Sequence, residues 1–174
     1  YTGRVEVDGK YVTLDDGTPL QYMPLAVEQN LTASKYIETA GARMKKYEVD
    51  RTAYSDGRMP DNDIVLYRYA DVLLMKAEAK VRNGESGDEQ LNAVRSRAGM
   101  PSLAATLANI LDERLLELVW EGWRRQDMIR FGTYCAPYDI HTPSAADKKR
   151  YTIVFPIPEK ARELNPNLAQ NPGY

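Results

Sequence analysis

LYRYADVLLMKAEA, residues 66–79, is the stretch on which the reading of the whole chain turns. Leu66, Ala70, Leu73, Leu74 and Ala77, continued by Val81, recur at three- and four-residue steps and draw one apolar stripe along a helix that starts near Asp63. Asn83-Gly84 supplies its stop, because glycine enters the left-handed conformation that ends helices without a Cβ penalty. The linker GESG follows at 84–87, and Asp88 is placed to cap a second helix with an apolar face of Leu91, Val94 and Ala98, ended by Gly99 ahead of Pro101. Two antiparallel helices joined by so short a turn form an αα-hairpin. A third helix is expected from Thr106 to Phe131, with Leu111, Leu115, Leu118, Val119, Gly122 and Ile129 on its buried arc and Gly132 as its stop.

At about 100 degrees per residue, Glu113, Glu117 and Glu121 form a ridge roughly opposite that arc, with Arg124 beside it and Trp120 close by. Like charges four residues apart repel, so the ridge needs cations. Arg114 and Arg124 are at hand locally, and Arg68, Arg95 and Arg97 on the preceding helices can pair across. With Asp71, Glu78 and Asp127 these residues are expected to form a structural charge network binding the three helices together. Paired carboxylates also hydrolyse glycosides. Charged side chains at helical spacing among apolar residues more often make structural pairs, so no catalytic residue is assigned.

The flanks read differently. Up to about Pro60 the chain is rich in turn residues and should be loops and short strands. Val5 and Val7, Asp8-Gly9, and Tyr11 to Leu14 read as a β-hairpin, since Asp-Gly supplies the positive φ angles of a tight two-residue turn. A second extended segment is expected over Met44 to Val49, broken again by Asp56-Gly57 and Pro60. Beyond Gly132 the chain should be irregular to Arg150, then extended through YTIVFPIP (151–158). The tail NPNLAQNPGY (165–174) should lie on the surface as a fixed, non-helical strap. The reading is one mainly α unit over 1–174, with a loop and short-strand region (1–62), a three-helix core (63–132) and an irregular strap (133–174).

In 174 residues a single core is the expectation. A net charge of −2, with Lys and Arg scattered among Asp and Glu, offers no basic footprint for nucleic acid or an anionic membrane surface. One cysteine, Cys135, and one histidine, His141, assemble neither a disulfide framework nor the common zinc sites, and no metal or cofactor is expected. His141 reads as a polar loop residue. Asp61-Asn62-Asp63 has oxygens for Ca²⁺ but lacks the glycine and terminal glutamate of an EF-hand, and a turn is the plainer reading. Asn30-Leu31-Thr32 matches a glycosylation sequon, which matters only in a glycosylating host. No nucleophile elbow, phosphate loop or dinucleotide fingerprint occurs. Twelve tyrosines stand against two phenylalanines. Tyr11, Tyr22, Tyr54, Tyr134 and Tyr138 fall in expected strands or loops, where their rings either stack on sugars or pack with wet tips; Trp120 and Trp123 are expected in the core. The chain opens on Tyr1-Thr2-Gly3 with no signal-peptide pattern and is read as a fragment or processed chain.

Four segments together resemble the SusD/RagB family: LYRYADVLLMKAEA (66–79), LNAVRSRAG (91–99), DERLLELVWEGWRRQDMIRFG (112–132) and FPIPEKARELNPNLAQNPGY (155–174). ARMKKYEVD (42–50) looks like the stretch that precedes them. The resemblance implies the C-terminal portion of a helical protein built on tetratricopeptide-like helix pairs with a loop-rich flank. It implies an outer-membrane lipoprotein facing outward, attached only through a lipid anchor that this chain lacks and that Cys135 is not. Such a protein pairs with a SusC-type TonB-dependent transporter and delivers oligosaccharides or, in some branches, peptides, without catalysis. The family's binding aromatics belong largely upstream, so no ligand-binding residue is carried over. A helical interaction scaffold and a glycoside hydrolase are the remaining readings, in that order.

Overall fold

The computed structural model describes residues 3–26, 39–44, 46, 47, 50, 52, 53, 55, 57, 59–138 and 141–174. The chain divides into two compact units, Tyr1–Ile64 and Val65–Tyr174.

The first unit holds two small antiparallel strand pairs. β2 (Glu6–Val7) pairs with β3 (Lys10–Tyr11) across Asp8 and Gly9, whose φ angles of 51° and 74° make the two-residue turn the Asp-Gly pair favours. β1 (Gly3–Arg4) pairs with β4 (Gln21–Tyr22), and backbone bonds from Val5 to Leu20 and from Val12 to Val5, each 3.0 Å, knit the strands between. Asp16 shapes the second turn by accepting from both the amide and the hydroxyl of Thr18. Met23 bridges in parallel to Ala40. Of the segment 44–49 only residues 44, 46 and 47 are described, and the sequon residues 30–32, Tyr54 and Asp56 lie outside the described residues.

The second unit is helical. α1 (Tyr69–Arg82) begins six residues later than Asp63, because Arg68 stands in extended backbone (φ −143°, ψ 162°) with its guanidinium drawn onto Glu117 at the end of the third helix and onto Glu121 just beyond it. Leu66, expected on the apolar stripe, is consequently 71% exposed. α2 (Asp88–Arg97) starts at Asp88 with Gly87 as its cap and ends one residue short of Ala98, which is exposed. Asp88 does not cap; its carboxylate accepts from the Ala105 amide at 2.6 Å. With the two-way bond between the Asn92 amide and Leu103, this pins the connection to α3 (Leu107–Glu117) against α2. Thr106 caps α3 through the Asn109 amide.

The single helix expected from Thr106 to Phe131 is two helices. α3 stops at Glu117, and α4 (Arg124–Arg130) starts after a turn in which Trp120 (φ 66°) and Gly122 (φ 81°) are left-handed. Gly122 takes this conformation freely; for a tryptophan it is rare. The turn throws Leu115, Val119 and Trp120 outward, so they leave the expected core, whereas Ile110, Leu111 and Leu118 are buried.

Leu74 and Ala77 of α1, Leu91 and Val94 of α2 and Ile110 of α3 form the core, with Ala70, Leu73, Val81, Ala105 and Phe131 against it. Burying each Leu or Ile contributes about 1.5–3 kcal/mol. The α1–α2 hairpin closes tightly: a Cβ at Gly87 would stand 2.6 Å from the Ala77 carbonyl oxygen.

Residues 133–174 are less irregular than expected. Ser144 and Asp147 form a capping box that starts α5 (Ala145–Lys148), Tyr151–Ile153 is a 3-10 turn where an extended run was expected, and α6 (Glu159–Leu164) follows Pro158. The Asn-Pro tail is non-helical and held by side chains. The Gln170 amide bonds both the N–H and the C=O of Ile157, Asn171 donates to the Phe155 carbonyl and the Tyr174 hydroxyl to that of Val154. Arg125 of α4 stacks over Phe155 at 4.1 Å and donates to the carbonyls of Thr152 and Ile153.

Gly87→Ala forces backbone apart at the hairpin and should lower stability by about 1–3 kcal/mol in urea denaturation. Removing residues 170–174 should lower the melting temperature by several degrees; an unchanged value would contradict the role of the tail as a strap.

Candidate functional site

The most organised polar cluster of the second unit lies between its helices. Arg114 on α3, fully buried, donates from Nη1 to Asp71 of α1 at 2.6 Å and from Nε to Asp127 of α4 at 2.8 Å. Asp127 also accepts from Arg130, and Arg130 and Arg82 both reach Glu78. A second chain joins the other end: Arg68 clasps Glu121 through Nε and Glu117 through Nη1, and Arg97 also meets Glu117. Arg95 donates to Glu113 and to the Pro101 carbonyl. Arg124 departs from expectation, donating to the Leu111 carbonyl at 3.1 Å. The glutamate ridge was expected opposite the buried arc; Glu113 is instead buried and the side chains of Glu117 and Glu121 are nearly so. The cause is that α3 packs on α1 and α2 through this polar face as well as through Ile110.

Such an arrangement holds helices together and is ill suited to proton transfer. A general acid needs a raised pKa. Burial pushes Glu78 upward, but its hydrogen bonds and charge contacts with Arg130 and Arg82 outweigh that and hold its carboxyl below the usual glutamate range. Asp71 Oδ2 and Glu78 Oε2 are buried without a partner among the described residues, so both carboxylates depend on the guanidinium groups already bound to them.

The aromatic residues occupy separate places. Tyr11 lies under Arg4 and Tyr22 under Arg43 in the first unit. In the second, Tyr134 lies under Arg125, and Tyr138 stacks on His141 with ring centroids 4.8 Å apart. His141 Nε2 stands 3.9 Å from Asp147, whose carboxyl is held below its ordinary range by the Thr152 hydroxyl and the Ser144 backbone. Cys135 is a half-buried free thiol. Trp123 packs on Tyr67 at 5.5 Å, but Trp120 is 71% exposed, contrary to its expected place in the core. It edges a shallow groove of about 330 Å³ with Leu115, Val119, Arg124 and Arg125. The signal for this exposure was Glu121-Gly122, a helix stop placed immediately after the tryptophan. Among the described residues no three His, Cys, Asp or Glu side chains gather as metal ligands.

Comparison with known proteins gives a consistent set of likenesses. A family model described as SusD family matches residues 22–174. The chain is 31% identical over 139 residues to the starch-binding protein SusD of Bacteroides thetaiotaomicron, covering 76% of this chain and 25% of that protein. Among solved structures it resembles surface glycan-binding protein A from Bacteroides thetaiotaomicron, at 33% identity and a TM-score of 0.55 over 64% of this chain and 25% of that one. The complex of that protein with laminarihexaose matches at the same TM-score. A laminarin-binding SusD-like protein matches at 34% identity and a TM-score of 0.50, over 63% of this chain and 23% of that one. The chain thus spans about a quarter of the length of these relatives.

Arg114→Met should destabilise the protein by about 3–5 kcal/mol by leaving buried Asp71 without its partner and Asp127 with Arg130 alone, and adding Asp71→Leu and Asp127→Leu should recover most of the loss, read by chemical denaturation. The Glu78 pKa is lowered on folding, so its contribution is fully present above the ordinary glutamate value of 4.5 and is lost as pH falls through the folded value below it. Glu78→Gln should therefore flatten the fall of melting temperature with pH below about 4.5.

Proposed function

The chain belongs to the SusD family, and from that premise we propose that it is part of a non-catalytic glycan-binding protein of the bacterial outer-membrane surface, serving uptake through a SusC-type transporter. SusD-family proteins bind glycans, work with SusC-type transporters and are lipoproteins of that surface. The observation that carries the reading is the match over residues 22–174, joined to relatives named for starch, laminarin and laminarihexaose binding. The division of charge supports binding over catalysis. Glu78, Glu113, Glu117, Glu121, Asp71 and Asp127 are each bound to guanidinium groups across or beside the helices, the arrangement of a structural charge network. Among the described residues no helix is long and apolar enough to cross a membrane, which is compatible with attachment through lipid.

Binding of this kind rests on aromatic faces against sugar rings with hydroxyls paired at the rim. Tyr11, Tyr22, Tyr134 and Tyr138 lie on separate arginine and histidine partners. The ligand platform is accordingly assigned to the remaining three quarters of a relative-length protein, with this chain as the helical and strap-bound part that supports it.

Affinity electrophoresis of the protein made from its whole gene should show retardation by laminarin or starch, with no oligosaccharide released on thin-layer chromatography. Retardation by neither, with binding to peptides, would replace the glycan reading; release of sugars abolished by Glu→Gln substitution would replace the non-catalytic one.

A further inference from the structure

The arginines of the helical unit divide by what they meet. Arg68, Arg82, Arg95, Arg97, Arg114 and Arg130 each reach a carboxylate within 3.0 Å. Arg150 and Arg162 are exposed to water. Arg124 and Arg125 are half-buried, and among the described residues neither meets a carboxylate. Arg124 donates from Nη1 to the Leu111 carbonyl, while Arg125 donates from Nη2 to the carbonyls of Thr152 and Ile153 and lies over the rings of Tyr134 and Phe155, at 5.2 and 4.1 Å. Carbonyls and ring faces attract a guanidinium but carry no net charge to cancel its own. Two half-buried cations without an anion are costly to hold out of water.

Both line the groove of about 330 Å³ that Trp120 edges, and among the described residues no carboxylate lines it. The third arginine there, Arg114, is already neutralised by Asp71 and Asp127. Leu115 and Val119 give the groove an apolar wall, and its volume stands at the low end of small-ligand sites. The left-handed backbone at Trp120 leaves the indole 71% exposed at the edge. An indole face packs on the C–H face of a sugar ring. Beside it, Nε and Nη2 of Arg124 and Nε and Nη1 of Arg125 carry no hydrogen bond among the described residues. Such donors bind the oxygens of a carboxylate or a sulfate ester about twice as strongly as those of neutral groups. The indole alone accepts any sugar; the two guanidinium groups select one that carries an acid.

We propose that the Trp120 groove is a subsite for an acidic sugar, with its ring against the indole and its carboxylate or sulfate ester held by Arg124 and Arg125. It is additional to the platform assigned to the rest of the longer protein. The inference rests on the glycan-binding reading and narrows it, from polysaccharides in general to those whose chains carry uronate or sulfated residues.

The test is affinity electrophoresis of the protein made from its whole gene, in gels holding polygalacturonate, dextran sulfate, laminarin or starch. At least one of the two acidic polymers should retard it, and which of them does so tells a carboxylate from a sulfate ester. Trp120→Gly and, separately, Arg124→Gln should each weaken that binding at least tenfold while leaving retardation by laminarin or starch unchanged. Glycine takes the positive φ of position 120 freely, so Trp120→Gly should not lower the melting temperature, and its loss of binding is not a loss of fold. Lys76→Gln, which removes an exposed positive charge from α1, should leave the binding as it was. Retardation by laminarin or starch but by neither acidic polymer would overturn the subsite and leave the glycan-binding reading standing; retardation by no glycan would overturn both. Acidic-polymer binding that survives Trp120→Gly and Arg124→Gln, or that Lys76→Gln weakens as much as Arg124→Gln does, would place it elsewhere or reduce it to bulk charge attraction, and either result overturns the proposal.

Discussion

Arg114 holding Asp71 and Asp127 at once is the contact on which the helical unit depends. One guanidinium on α3 fixes α1 on one side and α4 on the other, at 2.6 and 2.8 Å, inside a region closed to water. A planar group with a fixed fork of donors sets angles as well as distances. Apolar packing alone tolerates repacking at similar volume. Once Arg114 is placed, α4 must lie where Asp127 reaches it, and Arg130, three residues on, is carried to Glu78.

That placement explains the break between α3 and α4. A straight helix from Thr106 to Phe131 would put Asp127 more than three turns beyond Arg114, about 20 Å along the axis. The turn at 118–123 returns the chain so that the two side chains meet. Its conformational cost falls on Gly122, where it is small, and on Trp120, where it is not. A buried two-sided arginine pair is the kind of interaction able to offset that strain, because losing it would strand Asp71 and leave Asp127 with Arg130 alone.

The sequence made some of this legible and hid the rest for physical reasons. α1 and α2 were readable because stripe, linker and glycine stop all agree, and the hairpin at Asp8-Gly9 because that dipeptide prefers the required φ signs. The α3–α4 break was not, since Leu111, Leu115, Leu118 and Ile129 stay in helical phase across it and phase was the evidence used. The same assumption put Leu115 and Val119 inside and the glutamates outside. Residue types in the charge cluster were legible, but which arginine meets which carboxylate depends on the turn, as Arg124 shows by bonding the Leu111 carbonyl. The strap could be read as fixed from its Asn and Pro content, whereas the bond pair from Gln170 to Ile157 could not.

Function is legible at a different level from structure here. The residues that make the family recognisable, from LYRYADVLL to DMIRFG, are largely those of the core and the arginine–carboxylate network, so recognition registers the scaffold. A scaffold can carry many ligands, and its residues do not name one. In a binding protein the network nevertheless matters for function, because a ligand surface is only as well ordered as the elements beneath it. Helices tied by buried, geometrically specific pairs stay in register whatever loops they support, and the proteins this chain resembles are named for starch in one case and laminarin in another.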